Sequence, residues 1–388
     1  MKNYWLPFVL SVFLSSVSAQ GIPNLPLPLG AGTCEVWQGN LYHFGGSDDD
    51  IGTTLFQRIY KYDGNWSLYD SIPDDAMWGV ESVLAGDVVY LLGGFPGLSF
   101  HFRGYNIGTG NWFVPNNSPN TIWTWGVTAE YLDGFIYLFL PDGYNFRYEI
   151  AEDTWTPIAD CPSDGYNGMR SVLYQDEIFI IGYRFSRFYK YSPTTDQWTQ
   201  LADTPYPVSA CGMGIIDDKI CCVGGDWYKS MIVYDITSNQ WYVDGFELSD
   251  ERYWMATAKY QGELYVLGGL DSINQAVNTV EKIVPQGPVE IKSQQITGIP
   301  KSFVLYQNYP NPFNPVTTIE FYLPKPGDVT LKVYNALGEE VVTIVSRGVR
   351  AGLHRYRWTP TVGIASGIYW YWIKAEGFSD TNRMLYLK

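Results

Sequence analysis

Histidine is nearly missing from this chain of 388 residues, which has three, and cysteine is scarce at five, an odd number. Cys34, Cys161, Cys211, Cys221 and Cys222 are too few in a chain of this length for a disulfide-stapled scaffold, and they include no CxxC pair. Buried thiols in tightly packed strands are the expectation, with no cofactor. Positive charge is also short, at 25 Lys and Arg against 40 Asp and Glu. Residues 20–300 hold 14 basic against 34 acidic side chains, whereas residues 301–388 hold 10 against 6. A surface so acidic repels nucleic acid, which removes DNA and RNA as partners. Long apolar runs are absent too. Met1–Ala19 opens with Lys2, continues through the apolar Leu6–Leu14 and ends in Ser-Val-Ser-Ala, the layout of a secretory signal peptide. Its apolar part is too short to span a bilayer and no later run is long enough, so no transmembrane segment is expected in the mature chain.

What the chain has in abundance is aromatic residues on a regular spacing. Trp66, Trp112, Trp155, Trp198 and Trp241 are separated first by 46 residues and then by 43 each time. Ahead of each lies an apolar run, which ends at or near a glycine pair as in Leu41–Gly46, Val88–Gly94 and Ile220–Gly225. Six units align on Gly45, Gly93, Leu140, Gly182, Gly224 and Gly268. A period of this length built from short strands predicts an all-β fold, a six-bladed β-propeller over residues 20–284. In the fifth unit the strands are expected at Ser209–Ile216, Lys219–Val223, Met231–Ile236 and Trp241–Phe246, with Asp-Asp, Gly-Gly-Asp and Thr-Ser-Asn at the reversals. Each tryptophan is expected to pack against the neighbouring blade, contributing on the order of 2–3 kcal/mol.

The paired glycines closing the second strand, followed by a spaced tyrosine and tryptophan, resemble the kelch repeat over about residues 22–285. Units one, two, five and six keep the pair, while units three and four have Leu140-Pro141 and Gly182-Tyr183 instead. The sixth unit meets Pro285 without a tryptophan, so its outer strand must come from elsewhere. The segment around Leu25-Pro-Leu-Pro-Leu is expected to supply it and close the ring, removing an exposed edge.

Residues 285–302 read as a linker, and the pattern then changes. Thr317–Leu323, Val329–Tyr334, Glu340–Val345, Gly352–Trp358, Gly367–Ala375 and Thr381–Leu387 alternate between turns, as in a small immunoglobulin-like β-sandwich over residues 303–388. The opening run from Tyr306 to Pro315, then Val333-Tyr-Asn-Ala-Leu-Gly-Glu-Glu-Val, Ser366-Gly-Ile-Tyr-Trp-Tyr and the ending Met384–Lys388, resembles the C-terminal sorting domain of the type IX secretion system. Related immunoglobulin-like domains of a flagellar hook-capping protein share that opening. The resemblance implies the secretion machinery as a partner through residues 303–388, and a secreted or surface-attached protein of a Gram-negative bacterium.

In a propeller the loops entering each inner strand and those after the glycine pair share one face, around the channel mouth, the default ligand site. Fifteen residues before each aligned position stand Gly30, Trp78, Trp125, Asn167, Ser209 and Tyr253, with Arg252 and Trp254 close by. The later loops add Asp48-Asp49-Asp50, Tyr144, Trp227, Tyr228 and Asp271. Aromatic planes beside a few charges suit sugar rings and peptide side chains alike. Twelve residues before the aligned position the series is Thr33, Glu81, Thr128, Arg170, Gly212 and Ala256, with Glu81 and Arg170 its only charged members. Blades two apart would let this pair face each other across the channel.

Kelch-type enzymes include copper radical oxidases and a sialic acid mutarotase. Only His43 and His101 are available to a copper site in the propeller, without the matching motif, and no nucleophile–histidine arrangement for serine hydrolysis is present. Asp48-Asp49-Asp50 lacks the alternation of a calcium loop. The leading expectation is a binding module for glycans or proteins through Trp78, Trp125, Arg170, Trp227, Tyr228, Arg252, Tyr253 and Trp254. The alternative is a mutarotase- or epimerase-like enzyme using Glu81 and Arg170 at the channel mouth, and a purely structural surface protein is the third.

Overall fold

The computed structural model describes residues 21–49, 54–73, 78–95, 102–115, 126–141, 143–161, 168–183, 186–206, 208–225, 228–289, 303–306, 308, 311–325, 327–349, 352–360 and 364–387. The expected signal peptide, most of the expected linker, His101, Trp125 and Trp227 lie outside them. Described residues up to Pro288 form one compact unit and those from Val289 onward a second.

Short alternating runs joined by tight turns make five consecutive four-stranded antiparallel blades. Blade one is Thr33–Trp37, Asn40–Phe44, Arg58–Tyr62 and Trp66–Ser71, and blade two is Trp78–Ala85, Val88–Phe95, Phe102–Asn106 and Asn111–Phe113. Thr128–Leu132, Phe135–Phe139, Asn145–Glu149 and Thr154–Ile158 form blade three. Arg170–Tyr174, Glu177–Tyr183, Arg187–Ser192 and Gln197–Gln200 form blade four, and Gly212–Ile216, Lys219–Val223, Ser230–Asp235 and Gln240–Glu247 blade five. Blade six has three strands, Ala256–Tyr260, Glu263–Leu267 and Val280–Lys282.

The ring closes where the sequence suggested. Leu25 and Leu29 donate their backbone N–H groups to Asn278 and Val277 at 2.8 and 3.0 Å, and the Asn24 side chain accepts from Val280 N at 3.2 Å. Pro26 and Pro28 have no N–H to give, so this segment lies in the outer position of blade six without becoming a regular strand. A repeated contact verifies the assignment. Trp198 and Trp241 each donate their indole N–H to a carbonyl of the preceding blade, Ala159 and Ala202, at 2.9 Å. Trp66 does the same to Pro23 at 2.8 Å, so Pro23 takes that place for blade six.

The tryptophans mark outer strands and pack as expected. Each sits on a tyrosine of its own blade, and Trp155, Trp198 and Trp241 also meet an aromatic ring of the blade before, as Trp241 does on Tyr234 at 5.1 Å and Phe188 at 4.9 Å. The glycine pairs adopt left-handed conformations that bring chains into contact. A Cβ at Gly268 would lie 2.1 Å from the Leu29 carbonyl oxygen, which explains the pair in the closing blade. In blade three, which lacks the pair, the Asn145 side chain accepts the Leu140 N–H at 3.3 Å and the left-handed turn falls at Gly143.

Buried Asp244 in blade five accepts the N–H groups of Phe246, Gln286 and Gly287, each at 2.8 Å. Residues 285–288, read from sequence as the start of a linker, are thereby held on the propeller. The second unit is a sandwich. Val304–Leu305, Thr317–Leu323 and Gly352–Trp358 make one sheet, and Glu340–Val349, Gly327–Tyr334, Gly367–Ala375 and Phe378–Tyr386 the other. Phe321, Leu331, Tyr371, Ile373 and Met384 fill its core. Tyr371 ties the opening run to it, donating to the Tyr306 carbonyl and accepting from Asn308 N, both at 2.7 Å.

Candidate functional site

Fourteen residues before the aligned positions, each unit contributes one residue to the neck of the channel: Ala31, Gly79, Gly126, Gly168, Ala210 and Trp254. All six have positive φ, between 51° and 89°. Backbone bonds link five of them blade to blade. Gly79 N donates to Ala31 O at 3.0 Å, Ala31 N to Trp254 O at 2.9 Å, Trp254 N to Ala210 O at 2.8 Å and Ala210 N to Gly168 O at 2.6 Å. Glycine suits such a ring, and a residue with a Cβ in the left-handed region, alanine included, costs on the order of 1–2 kcal/mol. Trp254 holds that conformation at φ 52°.

Its indole meets side chains from two distant blades. The Trp78 ring of blade two lies 5.7 Å away, and the Arg170 guanidinium of blade four stands 5.1 Å from the ring centroid, within cation–π range. Ala31, Ala210, Tyr253 and Leu270 complete an apolar cluster around the two tryptophans.

Below the neck the channel wall carries carboxyl groups. Burial pushes Glu81 up to about 7, against the opposing pull of Arg170. Two residues further along the inner strands, Glu35 rises to about 7 and Glu130 to about 8, again chiefly through burial, with the neighbouring carboxylates adding to it. Each belongs to a hydroxyl bridge between blades. The Thr33 and Ser82 hydroxyls lie 2.6 Å apart, and Ser82 also hydrogen-bonds Glu35. Thr128 and Ser171 repeat the arrangement at 2.7 Å, with Ser171 donating to Glu130 at 2.8 Å. Glu35 and Glu130 were missed from sequence. Reading the series ten residues before the aligned position, Glu35, Val83, Glu130, Val172, Gly214 and Ala258, would have found them.

The expected rim is rearranged. Trp78, Tyr253 and Trp254 are buried rather than exposed, because they pack on one another across the mouth. Arg252 is corrected outright as a ligand-binding residue: it is 1% exposed, forms an ion pair with Glu281, and donates to the carbonyls of Gly268 at 2.9 Å and Thr279 at 3.1 Å. It holds blade six together. Tyr228 is half-buried and stacks on Tyr206 at 4.5 Å. Glu81 feels the opposing charge of Arg170, and Arg170 itself donates to the Met169 carbonyl at 2.9 Å. Asp48 and Asp271 serve their own loops, accepting Thr54 N at 2.7 Å and Gln275 N at 2.9 Å. Tyr144, 61% exposed, is the aromatic that stands out from this face among the described residues.

Among the described residues no group of acidic, histidine or cysteine side chains could hold a metal ion, and no helix is long and apolar enough to cross a membrane. His43 and the cysteines are buried.

Comparison with known proteins agrees with both halves. Residues 307–386 match the family described as secretion system C-terminal sorting domain. Kelch-like protein terF of Aspergillus terreus is 26% identical over 250 residues, 53% of this chain and 53% of that protein. Kelch-like protein 35 of Mus musculus is 31% identical over 78 residues, 20% of this chain and 13% of its own length. The matches thus span about half the length of the fungal relative and less of the mouse one. The solved structure of YjhT superposes with a TM-score of 0.58 at 16% identity, covering 70% of this chain and 98% of that one. The chain is a kelch-type β-propeller followed by a secretion system C-terminal sorting domain.

Proposed function

We propose that the protein is a secreted or cell-surface binding module for glycans or proteins, exported through the type IX secretion system by its C-terminal domain, with its ligand face at the loop-bearing end of the propeller channel. The observation that carries this reading is the meeting of Trp78, Trp254 and Arg170, from blades two, six and four, at one point of that face. Indole and guanidinium planes stack against the C–H faces of sugars and against aromatic side chains. Export rests on the sorting domain at residues 307–386. The full-length protein applied to a glycan array and to a panel of surface proteins should bind a restricted set, and Trp78→Ala should weaken that binding ten-fold or more. Silence on both panels would end the reading.

A second reading, a carbohydrate mutarotase or epimerase, is favoured by Glu81, because a carboxyl titrating near 7 beside Arg170 suits proton transfer at neutral pH. Anomer exchange followed by NMR should then slow at least ten-fold in Glu81→Gln. An unchanged rate removes Glu81 from any mechanism.

A further inference from the structure

Five of the six neck positions carry a hydrogen or a methyl group, and the sixth carries an indole. The backbone of Trp254 is fixed at both ends of its peptide units, since its N–H is bonded to Ala210 O and its C=O accepts from Ala31 N. The residue keeps φ 52°, the left-handed conformation that Ala31 and Ala210 hold at 53° and 51°. Its distinctive role at the neck therefore has to come from the side chain.

The direction of the side chain supplies it. An indole that merely packed between blades would touch the adjacent ones. Beyond Ala31 and Ala210 of the adjacent blades, this ring contacts Trp78 of blade two and Arg170 of blade four, each two blades away around the ring and on opposite sides of blade six. A side chain anchored at the neck can reach both only by crossing the channel axis. Glu81 and Arg170 stand two residues further along their strands than the neck, roughly 7 Å deeper at the usual rise.

We propose that Trp254 closes the neck of the channel and sets the depth of the ligand site. A sugar or aromatic ring rests on the Trp254–Trp78 floor beside the Arg170 guanidinium, and groups that would reach Glu81 are kept out. The ligand part of this inference rests on the binding-module reading, whereas the closure itself needs no ligand to test.

The full-length protein is treated at pH 6 with a water-soluble carbodiimide and an amine nucleophile, and amide formation at Glu81 is followed by mass spectrometry, with exposed Glu152 as internal reference. Wild type and Trp254→Phe should label slowly at Glu81. Trp254→Gly and Trp254→Ala, which install the residues found at the other neck positions, should label at least ten-fold faster there with Glu152 unchanged. Equal Glu81 rates in wild type and both small-residue variants would overturn the closure. So would unfolding of both, which would make the indole a packing residue of the core. A glycan array without hits leaves these rates untouched, so failure of the binding reading is distinguishable from failure of the closure.

Discussion

Glu130 and His43 give the propeller opposite responses to pH. Burial raises Glu130 from its ordinary 4.5 to about 8, so the folded state holds its proton more tightly than the unfolded chain does. That contribution to stability is complete below about 4.5 and is lost as pH rises through about 8. His43 is fully buried among apolar groups, with neither ring nitrogen hydrogen-bonded among the described residues, and is lowered from 6.5 to about 4. Its contribution is complete above 6.5 and is lost as pH falls through about 4. The sites are separable by mutation. Glu130→Gln keeps an acceptor for the Ser171 hydroxyl and removes the charge, so it should stabilise the protein at pH 8.5 by on the order of 2–4 kcal/mol and leave it nearly unchanged at pH 5. Denaturant midpoints at the two pH values measure this, and an equal shift at both would contradict the assignment of Glu130 as a buried, protonated carboxyl.

At the scale of strands and blades, the sequence is most informative where one residue type has one geometric task. The tryptophans are spaced by a whole blade, and each marks an outer strand because only there can an indole lie across the preceding blade. In blade five the strand Lys219–Val223 matches its expected bounds, and Ser230–Asp235 differs by one residue from the expected Met231–Ile236. The inner strand begins at Gly212 rather than Ser209, because Ala210 turns left-handed to join the neck. The closing segment was legible from its proline-spaced leucines, although those same prolines stop it from pairing as a strand. Exposure at the mouth was not legible. Whether Trp78 or Trp254 faces solvent depends on which residues arrive from units far apart in sequence, and no periodicity within one unit carries that information. Arg252 illustrates the point: its partner Glu281 lies beyond the next two strands, on the far strand of the same blade. The carboxyls Glu35 and Glu130 were legible in principle, one register deeper than Glu81.

For the whole molecule, the division of labour between the two units follows from where the ring is completed. Every strand of the propeller, its closing segment at residues 24–29 and the Asp244 clamp on Gln286 and Gly287 all lie at or before Pro288. The sandwich has a separate core built around Phe321, Leu331 and Tyr371. Removing residues 303–388 therefore takes no strand and no ring-closing bond from the propeller. The truncated protein should fold with the propeller's cooperative transition intact, while losing the residues that match the sorting family. Cell fractionation should find the full-length protein at the surface or in the medium and the truncated one in the periplasm. Deleting residues 21–29 instead should collapse the thermal transition, since blade six would lose its outer segment and Trp66 its acceptor at Pro23. Normal surface delivery of the truncated protein would defeat the sorting role, and a propeller that unfolds without residues 303–388 would show that the ring is not closed by its own N-terminal segment alone.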